Sequence, residues 1–147
     1  MKFSSSLEQA CCVLGIIARH DGKPVTNAEL NQLMDVSLSY LMKITRKLVV
    51  AGLIESTHGV NGGYVLAKPM DAIRLRVVVE AIEGGEPFFR SSGVIERVFV
   101  GQKKAAKKGV SLLEDAFENA EIAWRGKLDE ITMQQVISGA LSERNRS

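Results

Sequence analysis

A chain of 147 residues with 46% apolar side chains has the size and make-up of an ordinary globular domain, which excludes disordered and collagen-like architectures. Its 19 basic and 17 acidic residues leave a net +2, too mild a balance to name a nucleic-acid partner from charge alone. The longest apolar run, Ala10 to Ala18, is nine residues, well short of the roughly 20 that a membrane-spanning helix needs. Cys11 and Cys12 are sequence neighbours, which disulfide geometry keeps from pairing with each other. Together these features predict a soluble, cytoplasmic protein in a reducing compartment, with no membrane partner.

Leu7, Ala10, Cys11, Leu14, Ile17 and Ala18 recur at three- and four-residue spacing, which predicts an amphipathic helix from Ser6 to Ala18, capped among Ser4 to Ser6 and stopped at Asp21-Gly22. Thr26-Asn27-Ala28-Glu29 has the capping-box pattern, so a short second helix follows, with Leu30, Leu33 and Met34 expected to face inward. After a tight turn at Asp35 to Ser37, a third helix capped by Ser37 or Ser39 turns Leu38, Leu41, Ile44, Thr45 and Leu48 inward and ends at Ala51-Gly52. Leu53 to Thr57 and Tyr64 to Ala67 read as two short strands, with Asn61-Gly62 as the favoured hairpin turn pair. A fourth helix, Leu75 to Glu83, buries Leu75, Val78, Val79 and Ile82 before Gly84-Gly85 and Pro87 stop it.

Residues 86–110 keep no sustained period and carry Lys103, Lys104, Lys107 and Lys108, so a basic, solvated loop or hinge is expected there, with a helical turn at Gly93 to Val100. From Ser111 the spacing of Leu113, Phe117, Ala120, Trp124, Leu128 and Ile131 is nearly a coiled-coil seam, which a lone helix cannot bury. A second copy of the chain is the expected partner, with Trp124 as an anchor of the dimer core. The expected organisation is a first compact unit at 1–85, a hinge at 86–110, and a dimerisation helix with a closing segment at 111–147. The fold class is mostly α with a small β-wing.

Three helices followed by a hairpin have the dimensions of a winged helix-turn-helix, because a helix fills the major groove while the hairpin beside it reaches a minor groove or phosphates. Charge points the same way. Between Val36 and Ile54 there is no acid, yet Lys43, Arg46 and Lys47 lie away from the third helix's core stripe, with Ser37, Ser39 and Tyr40 at its N-terminal end. No nucleophile is paired with a base, no phosphate-cradling Gly-Lys-Ser/Thr loop occurs, and the two histidines lie far apart, so neither an enzyme nor a zinc centre is expected. Cys11 and Cys12 are expected to pack as small apolar residues, since a thiol switch needs a lowered pKa and no basic residue lies within one turn of either. His20 is expected to close the first helix at its C-terminal end.

Val36-Ser37-Leu38-Ser39-Tyr40-Leu41, His58-Gly59-Val60-Asn61-Gly62-Gly63-Tyr64 and Val79-Glu80-Ala81-Ile82-Glu83-Gly84, in this order, resemble the Rrf-two (Rrf2) family of bacterial winged-helix transcriptional regulators. The resemblance covers Met1 to Gly85 well, and Ser111 to Val136 looks like that family's long dimerisation helix followed by a closing helix at Thr132. It implies that Ser37, Ser39, Tyr40 and Lys43 touch base edges and phosphates in the major groove. Residue spacing alone adds Arg46 and Lys47 to that face, and His58, Asn61, Gly62 and Gly63 are expected in the wing. The resemblance further implies a homodimer, with Leu113, Phe117, Ala120, Trp124 and Leu128 at its interface, acting as a repressor on a near-palindromic operator in double-stranded DNA.

Two departures from the family pattern bear on mechanism. Family wings usually begin with Arg before Gly-Pro-Gly-Gly-Gly, whereas His58 here precedes Gly-Val-Asn-Gly-Gly; an imidazole stands in for a permanent charge, and a weaker wing contact is expected. Cluster-binding members carry three cysteines before the dimerisation helix, and Pro87 to Val110 has none, so a member without an iron–sulfur cluster or other cofactor is expected. The competing reading is a winged helix used for protein contacts, docking a metabolic enzyme or sensing thiol oxidation through Cys11 and Cys12. The acid-free stretch from Val36 to Ile54 favours DNA, while any small-molecule or protein effector stays open.

Overall fold

The computed structural model describes residues 2–142. Within them the chain forms, in order, α1 (Ser5–Ala18), α2 (Asn27–Met34), α3 (Leu38–Val50), the strands β1 (Ile54–Thr57) and β2 (Gly63–Leu66), α4 (Leu75–Glu83), α5 (Val94–Val98), α6 (Lys103–Asp129) and α7 (Met133–Ser142). A mostly helical chain with one two-stranded antiparallel sheet is the fold class that the periodicities predict. The residues gather into two units, one holding the chain up to Gly85 and again from Leu128, the other Glu86–Lys127.

In the first unit the local end signals act where expected. Thr26 Oγ1 accepts from Glu29 N at 3.1 Å while Glu29 Oε2 accepts from Thr26 N at 2.7 Å, a complete capping box. The backbone bond from Thr26, with that from its hydroxyl, holds the Glu29 carboxyl below its ordinary range. Ser37 Oγ accepts from Tyr40 N at 3.4 Å at the start of α3, and His20 Nδ1 donates to Ile16 O at 2.8 Å at the end of α1. The apolar stripes then meet in one core built from Ala10, Val13, Leu14 and Ile17 of α1, Leu30 of α2, Leu41, Ile44 and Leu48 of α3, and Val78 and Ile82 of α4. Leu33 and Leu38, expected inward, are 63% and 48% exposed. The short α2 contributes Leu30 as its fully buried side chain, and Leu38 opens α3 one turn ahead of the stripe that starts at Leu41.

The chain after α6 returns to this unit. Leu75 N donates to Ile131 O at 2.9 Å and Met133 N to Ile73 O at 2.8 Å, stitching residues 131–133 beside the start of α4. Arg76 Nε lies 2.8 Å from both carboxylate oxygens of Asp129, and its Nη1 lies 3.0 Å from Glu80 Oε2. Thr132 and Gln135 form a second capping box (2.8 and 3.2 Å) that starts α7, whose Met133 is fully buried in the core. At Gly15 an added Cβ would lie 2.8 Å from Ile137 Cδ1, so the close approach of α7 to α1 depends on that glycine. The segment 111–147 is therefore divided. Through Lys127 it lies in the second unit and from Leu128 in the first, with residues 143–147 outside the described ones.

In the second unit, Lys103 to Val110 form the first turns of α6 rather than a loop. Ala106 and Val110 are buried there and continue the stripe through Leu113 and Phe117 at spacings of 4, 3 and 4, a period that the four exposed lysines conceal in the sequence. α6 ends at Asp129, so Ile131 lies beyond the seam rather than on it. The chain's own aromatic residues cover part of the stripe. Phe88 meets Trp124 edge-on with ring centroids 5.2 Å apart, and Phe89 stacks on Phe117 at 5.2 Å.

Candidate nucleic-acid interface

A half-buried polar chain sets α3 against α2 and the wing. Thr45, fully buried, donates through Oγ1 to Asn27 Oδ1 at 3.3 Å, and Asn27 Nδ2 donates to the Tyr64 hydroxyl at 3.1 Å. Sequence reasoning missed this chain; its one visible signal is a threonine on an otherwise apolar inward stripe. Val25 and Tyr64 exchange backbone bonds of 3.0 and 2.8 Å, which lays an extended residue beside β2. At Gly63 a Cβ would stand 2.7–2.9 Å from the Val25 backbone, so only glycine fits where the strand passes.

The wing itself pairs Ile54 with Leu66 through Thr57 with Gly63 in antiparallel register, and Thr57 Oγ1 closes it by donating to Gly63 O and accepting from Gly63 N, both at 3.1 Å. Gly62 N donates to Gly59 O at 3.0 Å, so Val60 and Asn61, not Asn61 and Gly62, are the central pair of the turn. Gly62 instead sits under the Thr57 carbonyl, where a Cβ would come within 2.6 Å. His58, Val60 and Asn61 are exposed at the tip, while Gly62 and Gly63 shape the backbone beneath them.

Of the residues expected on α3, Ser37, Ser39, Lys43, Arg46 and Lys47 are exposed, with Ser37 Oγ and Ser39 Oγ 2.9 Å apart at the helix start. Tyr40 and Lys47 bond to other elements. Tyr40 is half-buried against the core and its hydroxyl pairs with Ser6 Oγ on α1, while Lys47 Nζ donates to Ile82 O at 2.8 Å, on a carbonyl near the C-terminal end of α4. Seven residues apart, they share the flank of α3 that meets its neighbours, and each ties the helix to another element. Tyr40→Phe is expected to cost about 1 kcal/mol of stability in denaturant unfolding and to leave the preferred DNA sequence unchanged. Unchanged stability with an altered base preference would show that the Tyr40 hydroxyl reads a base rather than bracing α3.

Cys11 is half-buried against the core and Cys12 exposed. Burial, with smaller contributions from Cys12 and Glu8, pushes the Cys11 thiol up to about 11, and burial with Glu8 also raises Cys12. Both are therefore protonated, weakly nucleophilic thiols at neutral pH, a poor basis for an oxidation sensor. An iron–sulfur cluster needs several convergent thiolates, and these two cysteines are adjacent on α1 while Glu86–Lys127 contains none. Among the described residues no group of three or more His, Cys, Asp or Glu is placed to hold a metal ion, so the residues present do not fit such a cluster. Among them, too, no helix is long and apolar enough to cross a membrane.

The Rrf2 family profile, described as an iron-dependent transcriptional regulator, matches residues 3–139. The chain is 35% identical over 138 residues to YwgB of Bacillus subtilis (strain 168), covering 93% of this chain and 85% of that protein. It is 36% identical over 139 residues to YffB of Lactococcus lactis subsp. lactis (strain IL1403), covering 92% and 86%. Both relatives are named as HTH-type transcriptional regulators. The solved structure of CymR (YrzC), the global cysteine regulator of B. subtilis, shares the fold with a TM-score of 0.61 at 21% identity, over 94% of this chain and 97% of that one. With a helix-turn-helix, a wing and a long helix in the same order, matched from residue 3 to residue 139, the chain belongs to the Rrf2 family of helix-turn-helix transcriptional regulators and is not an enzyme.

Proposed function

We propose that the protein is a homodimeric repressor that binds a near-palindromic operator through two copies of α3 and its wing, without an iron–sulfur cluster, in the bacterial cytoplasm. The observation that carries this reading is the outer face of α3, where Ser39, Lys43 and Arg46 are exposed on a helix flanked by no acid from Val36 to Ile54. Cations there displace the counterions condensed on DNA, and the hydroxyls bond phosphate oxygens or base edges. His58 and Asn61 at the wing tip supply the second contact. Occupying an operator is enough to block transcription, so repression requires no further part.

Dimerisation is supported by what α6 leaves uncovered. Phe88 and Phe89 pack on Trp124 and Phe117, whereas Leu113 and Ala120, with Leu112, Ala116 and Ala123 on the adjoining side, stay exposed along a helix of 27 residues. An apolar strip rich in alanine lets a second helix approach closely, and a second copy of this chain brings the same strip. Fragments selected by the full chain from random-sequence DNA are expected to carry two inverted half-sites at one fixed spacing, near one helical turn or a multiple of it. Selection of no common sequence would overturn the reading.

A further inference from the structure

In the first turns of α3 two apolar side chains stand on its outer side without a role in the fold. Leu38 and Met42, one helical turn apart, are 48% and 52% exposed. The inward stripe of α3 is complete without them, as Leu41, Ile44, Thr45 and Leu48, and neither is among the side chains packed against the core. Single exposed apolar residues are common on protein surfaces, but these two border Ser39, Lys43 and Arg46, all hydroxyl or cation. They also occupy the first turns of the helix, the part that meets base edges when such a helix enters the major groove.

We propose that Leu38 and Met42 read thymine methyl groups, so that base selection rests on apolar contact beside the phosphate contacts of Lys43 and Arg46. This assignment depends on α3 binding DNA as described above. In the major groove thymine is the base that presents a methyl, and an apolar chain gains by covering it. Under the same side chain the amino group of cytosine or adenine would lose its water and find no acceptor, which disfavours those bases. The unbranched thioether of Met42 adapts its shape to such a contact. Side chains at i and i+4 have Cβ atoms about 5–6 Å apart, against base steps of roughly 3.4 Å, so the pair addresses thymines one or two steps apart.

The test uses the operator selected by the full chain, remade with each thymine replaced singly by deoxyuridine, which removes the methyl and keeps every hydrogen-bonding group. At one or two positions in each half-site the wild-type protein is expected to lose affinity about fourfold, the factor for one buried methyl-sized group. At the same positions Met42→Ala or Leu38→Ala should bind the thymine and deoxyuridine operators equally, with helical circular dichroism unchanged because both sites are exposed. If the wild type binds its operator tightly and no deoxyuridine position separates it from the two variants, the proposal is overturned while DNA binding by α3 stands. If the wild type selects no sequence at all, the operator reading fails and this assignment fails with it.

Discussion

Ala120→Glu is expected to sediment as a monomer, retain helical circular dichroism, and bind its operator only at the non-specific level, a loss of about a thousandfold or more. Ala120 lies exposed on α6 between the aromatic contacts made by Phe117 and Trp124, so in the proposed dimer a carboxylate there would meet the partner copy and not the chain's own core. Burying that charge without a counter-ion costs several kcal/mol, typically about 3–5, enough to undo an association of moderate strength. Leu113→Glu, on the same strip, is expected to act alike. Trp124→Glu is a poorer probe, because the indole packs on Phe88 and its loss damages the unit itself. Operator affinity falls with the dimer because a single α3 engages one half-site and loses the second copy held close by. A variant that stays dimeric with normal operator binding would place the interface elsewhere.

Lys43→Ala and Arg46→Ala are each expected to lower the slope of log affinity against log salt by about 0.9, and together by about 1.8, while weakening operator and scrambled duplex alike. Lys47→Ala is the informative control. Its ammonium is engaged with the Ile82 carbonyl, so its removal should lower stability and leave the salt slope nearly unchanged. Titrations at several salt concentrations distinguish these outcomes. Equal slope changes for all three would restore Lys47 to the phosphate-binding set, and unchanged slopes for Lys43→Ala and Arg46→Ala would remove α3 from the DNA interface.

The features that sequence reasoning found are those whose physics is local. Thr26 to Glu29 form a capping box from residues three apart, Ser37 caps α3, and His20 closes α1. The order of helix, helix, helix and hairpin follows from periods of 3.6 and 2, which are written along the chain. The acid-free basic stretch from Val36 to Ile54, which directed attention to DNA, is equally a property of adjacent residues. Ala106 and Val110 carried the same kind of signal at the start of α6, but four lysines around them gave the segment the composition of a solvated loop.

By itself, then, the sequence determined the element types up to α4, the winged helix-turn-helix order and the face of α3 that carries charge. Only the tertiary structure decided which flanks of each element are covered, because periodicity ranks positions around one axis and contains nothing about the neighbours that arrive from distant parts of the chain. The bonds of Tyr40 to Ser6 and of Lys47 to the end of α4, 34 and 35 residues away, leave no trace in the period of α3. Leu38, on the expected inward stripe, stands in solvent, and Trp124, on the expected seam, also meets Phe88 of its own chain. α7 closes on α1 because Gly15 leaves room for Ile137, a fit that exists only once two helices more than a hundred residues apart are brought together.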